Sequence, residues 1–142
     1  MKSLLGILLG SVLVASSVFA QDLPKTDESL TAWYAALQKP DVTALEALMA
    51  PEDFSPFEYE IKDFDVKQNR KEFIASMDEW LGAIAGGTIE YKITDAYEGG
   101  YNVLVCYRFV SSELLAAEEV GVYDTKITGV SQVSKGDKCT DF

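Results

Sequence analysis

The chain has 142 residues, with 12 basic and 23 acidic side chains, no histidine, and 48% apolar residues. Its net charge of −11 repels nucleic acid and anionic membrane surfaces. The missing histidine removes the commonest transition-metal ligand and the base of any Ser-His or Cys-His pair.

Met1-Lys2-Ser3 gives a positive start, Leu4 to Val14 is almost wholly apolar, and Val18-Phe19-Ala20 closes a small-residue stretch before Gln21. This reads as a secretory signal peptide over residues 1–20, too short for a stable membrane anchor and without a lipid-accepting Cys at its end. The expected mature chain, residues 21–142, is one domain of 122 residues, periplasmic or secreted, with no membrane anchor after cleavage. Its 11 basic against 23 acidic residues leave −12, which reads as a solubility device.

Two helices come first. Thr26 reads as the N-cap of one, with Asp27 and Glu28 in its first turn and Leu30, Trp33, Tyr34 and Leu37 on one face. Lys39-Pro40 interrupts it. Asp41 caps a second helix carrying Val42, Leu45, Leu48 and Met49, and Pro51 ends that pattern. Between Glu52 and Lys67, alternation from Phe57 to Ile61 predicts a short strand. The acids around it read as a solvated face, since no calcium-loop offsets are present and no metal site is expected. Asn69 and Glu72 then form a capping-box pattern. They open a third helix with Phe73, Ile74, Met77, Trp80, Leu81 and Ile84 on its apolar side, ending at Gly86-Gly87.

The stretch Gly87 to Val110 predicts a β-hairpin. Ile89, Tyr91, Ile93 and Tyr97, then Tyr101, Val103, Val105, Tyr107 and Phe109, form one apolar and aromatic face on either side of Gly99-Gly100. Arg108 falls on the other face with Leu104 and Cys106, as a salt-bridge partner. Ser111 to Val120 contains helix formers, including Glu113, Leu114, Leu115, Glu118 and Glu119, yet runs into strand-like Val120, Val122 and Tyr123. The reading is strand from about Leu115, with a bent or helical start as the alternative. Asp124-Thr125-Lys126 turns into a last strand with Ile127, Val130 and Val133 inward and a bulge near Gly129. Cys106 and Cys139 are an even pair in an exported chain, which predicts one disulfide tying the C-terminal tail to the sheet.

This order of elements, with its Pro-Asp break, the stop at Ala50-Pro51-Glu52-Asp53 and the meander ending in Asp124-Thr125-Lys126-Ile127, resembles the nuclear transport factor 2-like superfamily, including its SnoaL-like and ketosteroid-isomerase-like members. The resemblance covers nearly all of residues 21–142. It implies an α+β cone, a curved antiparallel sheet wrapped around three N-terminal helices with a pocket at its open end, and it implies that homodimers are common. The isomerases of that superfamily use a helix-borne Tyr, a carboxylate base near the first strand and a later protonated Asp. Carried over by spacing, these positions fall on Trp33, near Phe57 or Glu58, and near Ala116.

Two of the three isomerase groups are therefore absent. The functional expectation is an exported small-ligand-binding or accessory protein, non-enzymatic and without a cofactor. Its pocket would take a small apolar ligand, lined by Trp33, Tyr34, Phe57, Trp80, Tyr91, Val103, Tyr107 and Tyr123. The same aromatics could equally fill a core. One alternative is a carboxylate-dependent isomerase or lyase using Glu58 as base and Tyr34 as acid. Another is a homodimeric interaction module using the convex sheet face around Leu104 and Val110.

Overall fold

The computed structural model describes residues 23–142, so the signal-peptide reading over residues 1–20 lies outside the described residues. The helices are α1 (Glu28–Gln38), α2 (Val42–Leu48), α3 (Arg70–Ala75) and α4 (Met77–Ile84). The strands are β1 (Glu58–Ile61), β2 (Val66–Asn69), β3 (Thr88–Tyr97), β4 (Gly100–Arg108), β5 (Glu113–Tyr123) and β6 (Lys126–Gly136). They form one open sheet in the order β2-β1-β6-β5-β4-β3. The α+β architecture is as expected, with one refinement. The sheet is mixed, because β1 lies parallel to β6 while every other neighbouring pair is antiparallel. The chain leaves the β1–β2 hairpin through α3 and α4, builds the meander from the far edge, and returns its last strand to the free side of β1.

Local signals explain where the helices begin. Asp27, not Thr26, caps α1, its side chain accepting from the Leu30 N–H, and a carboxylate there also meets the positive end of the helix dipole. Asp41 caps α2, and Asn69 with Glu72 completes a capping box on α3. The expected third helix is two segments. At Ser76 the hydroxyl donates back to the Phe73 carbonyl at 2.6 Å, a local bond that competes with the helical ladder and separates α3 from α4.

The core lies between α1 and the inner sheet face, where Leu30, Trp33, Leu45, Val105, Val120 and Ile127 are fully buried. On β3 and β4, Ile89, Ile93, Val103, Val105 and Tyr107 point inward as expected. A register shift between Ile93 and Asp95 reverses the alternation, so Tyr97, expected inside, is exposed. Gly99 makes the tight turn with φ +98°, a conformation closed to most other residues.

The ambiguous segment is strand from Glu113, two residues before Leu115, because β4 and β6 both pair with it and override its helical propensity. Asp124 and Thr125 both take positive φ between the paired Tyr123 and Lys126, the backbone of a type I′ hairpin turn. The register then steps from Val122↔Ile127 to Gly121↔Gly129, which is the bulge expected near Gly129. Beyond it Val130 and Gln132 face inward, whereas Val133, expected inside, stands outside beside Glu119 and Ser131.

The outer face carries the C-terminal tail. Cys106 and Cys139 form a disulfide with Cα atoms 5.8 Å apart. The Cys139 N–H donates to Glu113, and Lys92 donates to the Phe142 carbonyl while standing 4.5 Å from the centre of its ring. The tail thus crosses β5 and β4 to reach β3. Arg108 pairs with Glu90 and Glu113 on that face, as expected. Leu104 is half-buried there, and Val110 is 79% exposed. Replacing Cys139 by Ser removes a cross-link over 33 positions and lowers the unfolding free energy by about 3 to 4 kcal/mol in the chain-entropy model. Urea titrations with and without reductant measure this, and the variant should coincide with the reduced wild type.

Candidate functional site

At one end of the cone, α1, α3, α4 and the inner sheet face line a half-open cavity of about 100 Å3. Trp80 of α4 forms one wall, held by a 2.7 Å hydrogen bond from its indole N–H to the Leu37 carbonyl of α1. Tyr107 and Phe109, two residues apart on the inward phase of β4 and its extension, stack with nearly parallel rings, 8° apart. Trp80 stands edge-on to both, its centroid 5.9 Å from each. Tyr59 and Phe73 close the opposite side, and Gln132, Gln68 and Ser76 contribute polar edges.

Directly behind this wall lies a carboxylate. Glu118 of β5 is 2% exposed, and three donors surround it. The Tyr34 hydroxyl donates to Oε1 at 2.7 Å, the Gln132 side-chain amide donates to Oε2 at 2.7 Å, and the Tyr107 hydroxyl also donates to Oε2. Gln132 faces Glu118 because the two are register partners across β5 and β6. Its amide also approaches the Tyr59 hydroxyl at 3.4 Å. Burial pushes the Glu118 carboxyl above its usual range, and the three hydrogen bonds, which favour the ionised form, hold that rise back. Burial, followed by the negative charge of Glu118, raises Tyr34, Tyr59 and Tyr107 well above the ordinary phenol value. These phenols keep their protons, so Tyr34 and Tyr107 can only act as donors to the acid. Glu118 touches the cavity through Tyr107 and Gln132, not directly.

Of the sequence-predicted pocket residues, Trp80 and Tyr107 line the cavity. Tyr34 reaches Glu118 and stacks on Tyr91, whose hydroxyl bonds Thr31 at 2.6 Å. Trp33, Phe57 and Val103 are core: Trp33 packs against Phe57 and Phe73, and its buried indole N–H has no partner among the described residues. Tyr123 is 58% exposed and stacks on Phe54 outside. Glu58, expected as a base opposite Tyr34, points away from the cavity and is exposed, because β1 alternates Tyr59 inward and its two acids outward. Tyr34 does meet a carboxylate, but from β5. Sequence reading passed over Glu118 as a helix former. The available signal was its place between Ala116 and Val120, a lone acid in the inward phase of a strand. Among the described residues, no group of three or more acidic or cysteine side chains is placed to hold a metal ion.

No protein-family model matches the sequence, and no curated protein sequence matches it. Solved structures do. The fold is nuclear transport factor 2-like. A protein of that fold and unknown function from Burkholderia xenovorans superposes with a TM-score of 0.62 at 13% identity, covering 78% of this chain and 82% of its own. A Kribbella flavida protein assigned as a ketosteroid isomerase gives 0.59 at 15% identity, with 78% and 77% covered. A Streptomyces antibioticus protein assigned as a polyketide cyclase gives 0.58 at 12% identity, with 76% and 90% covered. At these identities the nuclear transport factor 2-like likeness establishes the fold, and the differing activities show that the fold does not select one.

The Glu118 cluster has a definite energetic signature. Glu118→Leu leaves the buried Tyr34 and Tyr107 hydroxyls without an acceptor and costs about 3 kcal/mol or more, whereas Glu118→Gln keeps one acceptor oxygen and costs less. The pH dependence follows from the raised carboxyl. A folded-state value above the unfolded one contributes stability at low pH that is lost as pH rises through the folded value. Glu118→Gln therefore gains on wild type as pH rises through the folded-state value of the Glu118 carboxyl, measured as the difference in urea midpoints.

Proposed function

We propose that this protein is exported and binds a small, largely apolar molecule in the aromatic cavity at the open end of its cone. The observation that carries this reading is a cavity of about 100 Å3 left among large aromatic side chains that could have closed it. The cavity opens to the surface between half-exposed Gln68, Trp80, Phe109 and Leu114, which gives a small molecule access to its aromatic lining. Trp80 and Tyr107 pack edge-to-face, and each is tied by its own hydrogen bond, which fixes the aromatic lining. The tail disulfide fits an oxidising compartment.

A second reading, a carboxylate-dependent isomerase or lyase, is favoured by one observation: the Tyr107 hydroxyl at the cavity wall is hydrogen-bonded to a buried acid. A substrate proton would pass to the Tyr107 oxygen as the proton of Tyr107 moves to Glu118. In this reading Glu118 takes the role first sought in Glu58.

Native mass spectrometry of the protein purified from a bacterial periplasm tests the proposal. A small molecule should accompany the folded chain, depart on denaturation, and be lost from a Trp80→Ala variant that still folds. If wild type shows only the bare oxidised chain, and no small apolar compound raises its melting temperature, the binding reading fails.

A further inference from the structure

A row of hydrogen-bonding side chains crosses the inner sheet face to the cavity; its meaning for a ligand rests on the cavity being a binding site. Gln68, Tyr59, Gln132 and Glu118 stand on the adjacent strands β2, β1, β6 and β5. Gln68 is the register partner of Tyr59, and Gln132 is that of Glu118. The row has a direction, set at its buried end. An ionised Glu118 can only accept, so Gln132 presents its amide nitrogen, which donates to Glu118 at 2.7 Å and to the Tyr59 oxygen at 3.4 Å. Tyr59 therefore accepts on its buried side, and its own proton is left for the cavity. Burial and the Glu118 charge both oppose its phenolate, so that proton stays in place.

Gln68, half-exposed at the mouth, has its side-chain amide unbonded among the described residues and offers both a donor and an acceptor. The other donors of the lining are spent: Trp80 on the Leu37 carbonyl, Ser76 on the Phe73 carbonyl and Tyr107 on Glu118. A ligand head must therefore accept from Tyr59, and it gains further by pairing with Gln68. An ammonium has nothing to offer Tyr59. A carboxylate accepts, but no Lys or Arg lines the cavity and the Glu118 charge lies one side chain behind. A ketone accepts and leaves the Gln68 carbonyl unpaired, and a hydroxyl does both tasks through one less basic oxygen. An amide meets both groups. Resonance places negative charge on its oxygen, and its N–H stands beside that oxygen.

We propose that the cavity takes a neutral carboxamide carried on an apolar body. The carbonyl oxygen accepts from Tyr59, the N–H donates to the Gln68 carbonyl, and the body leaves along Trp80, Phe109 and Leu114 through the open mouth.

NMR titration of the mature, disulfide-bonded, isotope-labelled protein compares hexanamide with methyl pentyl ketone, in which a methyl group replaces the amide nitrogen, and with hexanol and hexanoate. The Trp80 indole resonance reports occupancy, and that of Trp33, sealed in the core, is the control. Hexanamide should bind about fivefold more tightly than the ketone or the alcohol, and hexanoate most weakly. Tyr59→Phe should weaken hexanamide about fivefold. Gln68→Met, at the mouth and clear of the buried cluster, should weaken hexanamide several-fold and the ketone by less than about twofold, and it carries the test if Tyr59→Phe does not fold. Ketone, alcohol or carboxylate binding as tightly as hexanamide overturns the amide and leaves the cavity as a binding site. A Trp80 resonance unmoved by all four also overturns it, and the native mass spectrum then decides separately whether the cavity holds anything.

Discussion

The carboxylate of Glu118 is the constraint around which the open end of this molecule is arranged. An ion removed from water must be met by hydrogen bonds or it costs several kcal/mol. Here the donors come from three separate elements, α1, β4 and β6. Each donor fixes a side chain that would otherwise be free to repack. Tyr34 meets the acid from α1, Tyr107 from β4, and Gln132 faces it across the β5–β6 ladder. A purely apolar cluster in the same place could collapse into the adjacent space, but a satisfied polar one cannot do so without breaking its bonds.

The cavity is therefore a by-product of rigidity as much as of shape. Trp80 is tied to the Leu37 carbonyl, and Tyr107 is tied to the acid. The same sheet carries its second polar system on the opposite face, where Arg108 joins Glu90 and Glu113 in water. Pairs so exposed contribute little to stability. The buried cluster and the surface one use similar residue types to different ends, and burial alone separates them.

Much of the fold was legible because its signals are local. Asp41, Asn69 with Glu72, the Gly99 turn and the alternation of β4 each announce an element without reference to the rest of the chain. The site was less legible because it depends on phase. One bulge in β3 put Tyr97 outside, and one in β6 put Gln132 inside in place of Val133. A shift of one residue in a strand moves every later side chain to the other face. Glu118 lay in the segment where helical propensity and strand context disagreed, and only the paired neighbours β4 and β6 decide between them. Glu58 and Tyr123 illustrate the converse: an acid and an aromatic with suitable chemistry but the wrong face.

The parallel junction between β1 and β6 has a consequence for how the molecule comes together. Tyr59 on β1 and Gln132 on β6 are brought side by side by the pairing of the first strand with the last. No partner for β1 on that side exists until the chain has been completed through residue 132. The β1–β2 hairpin can pair locally, but its place in the sheet, and with it one wall of the cavity, requires β6. Closing so long a loop costs more ordering entropy than pairing the local meander of β3, β4 and β5. The cavity is thus a checkpoint of completion: a chain released before β6 would carry the helices and most of the sheet, yet would have no pocket to fill.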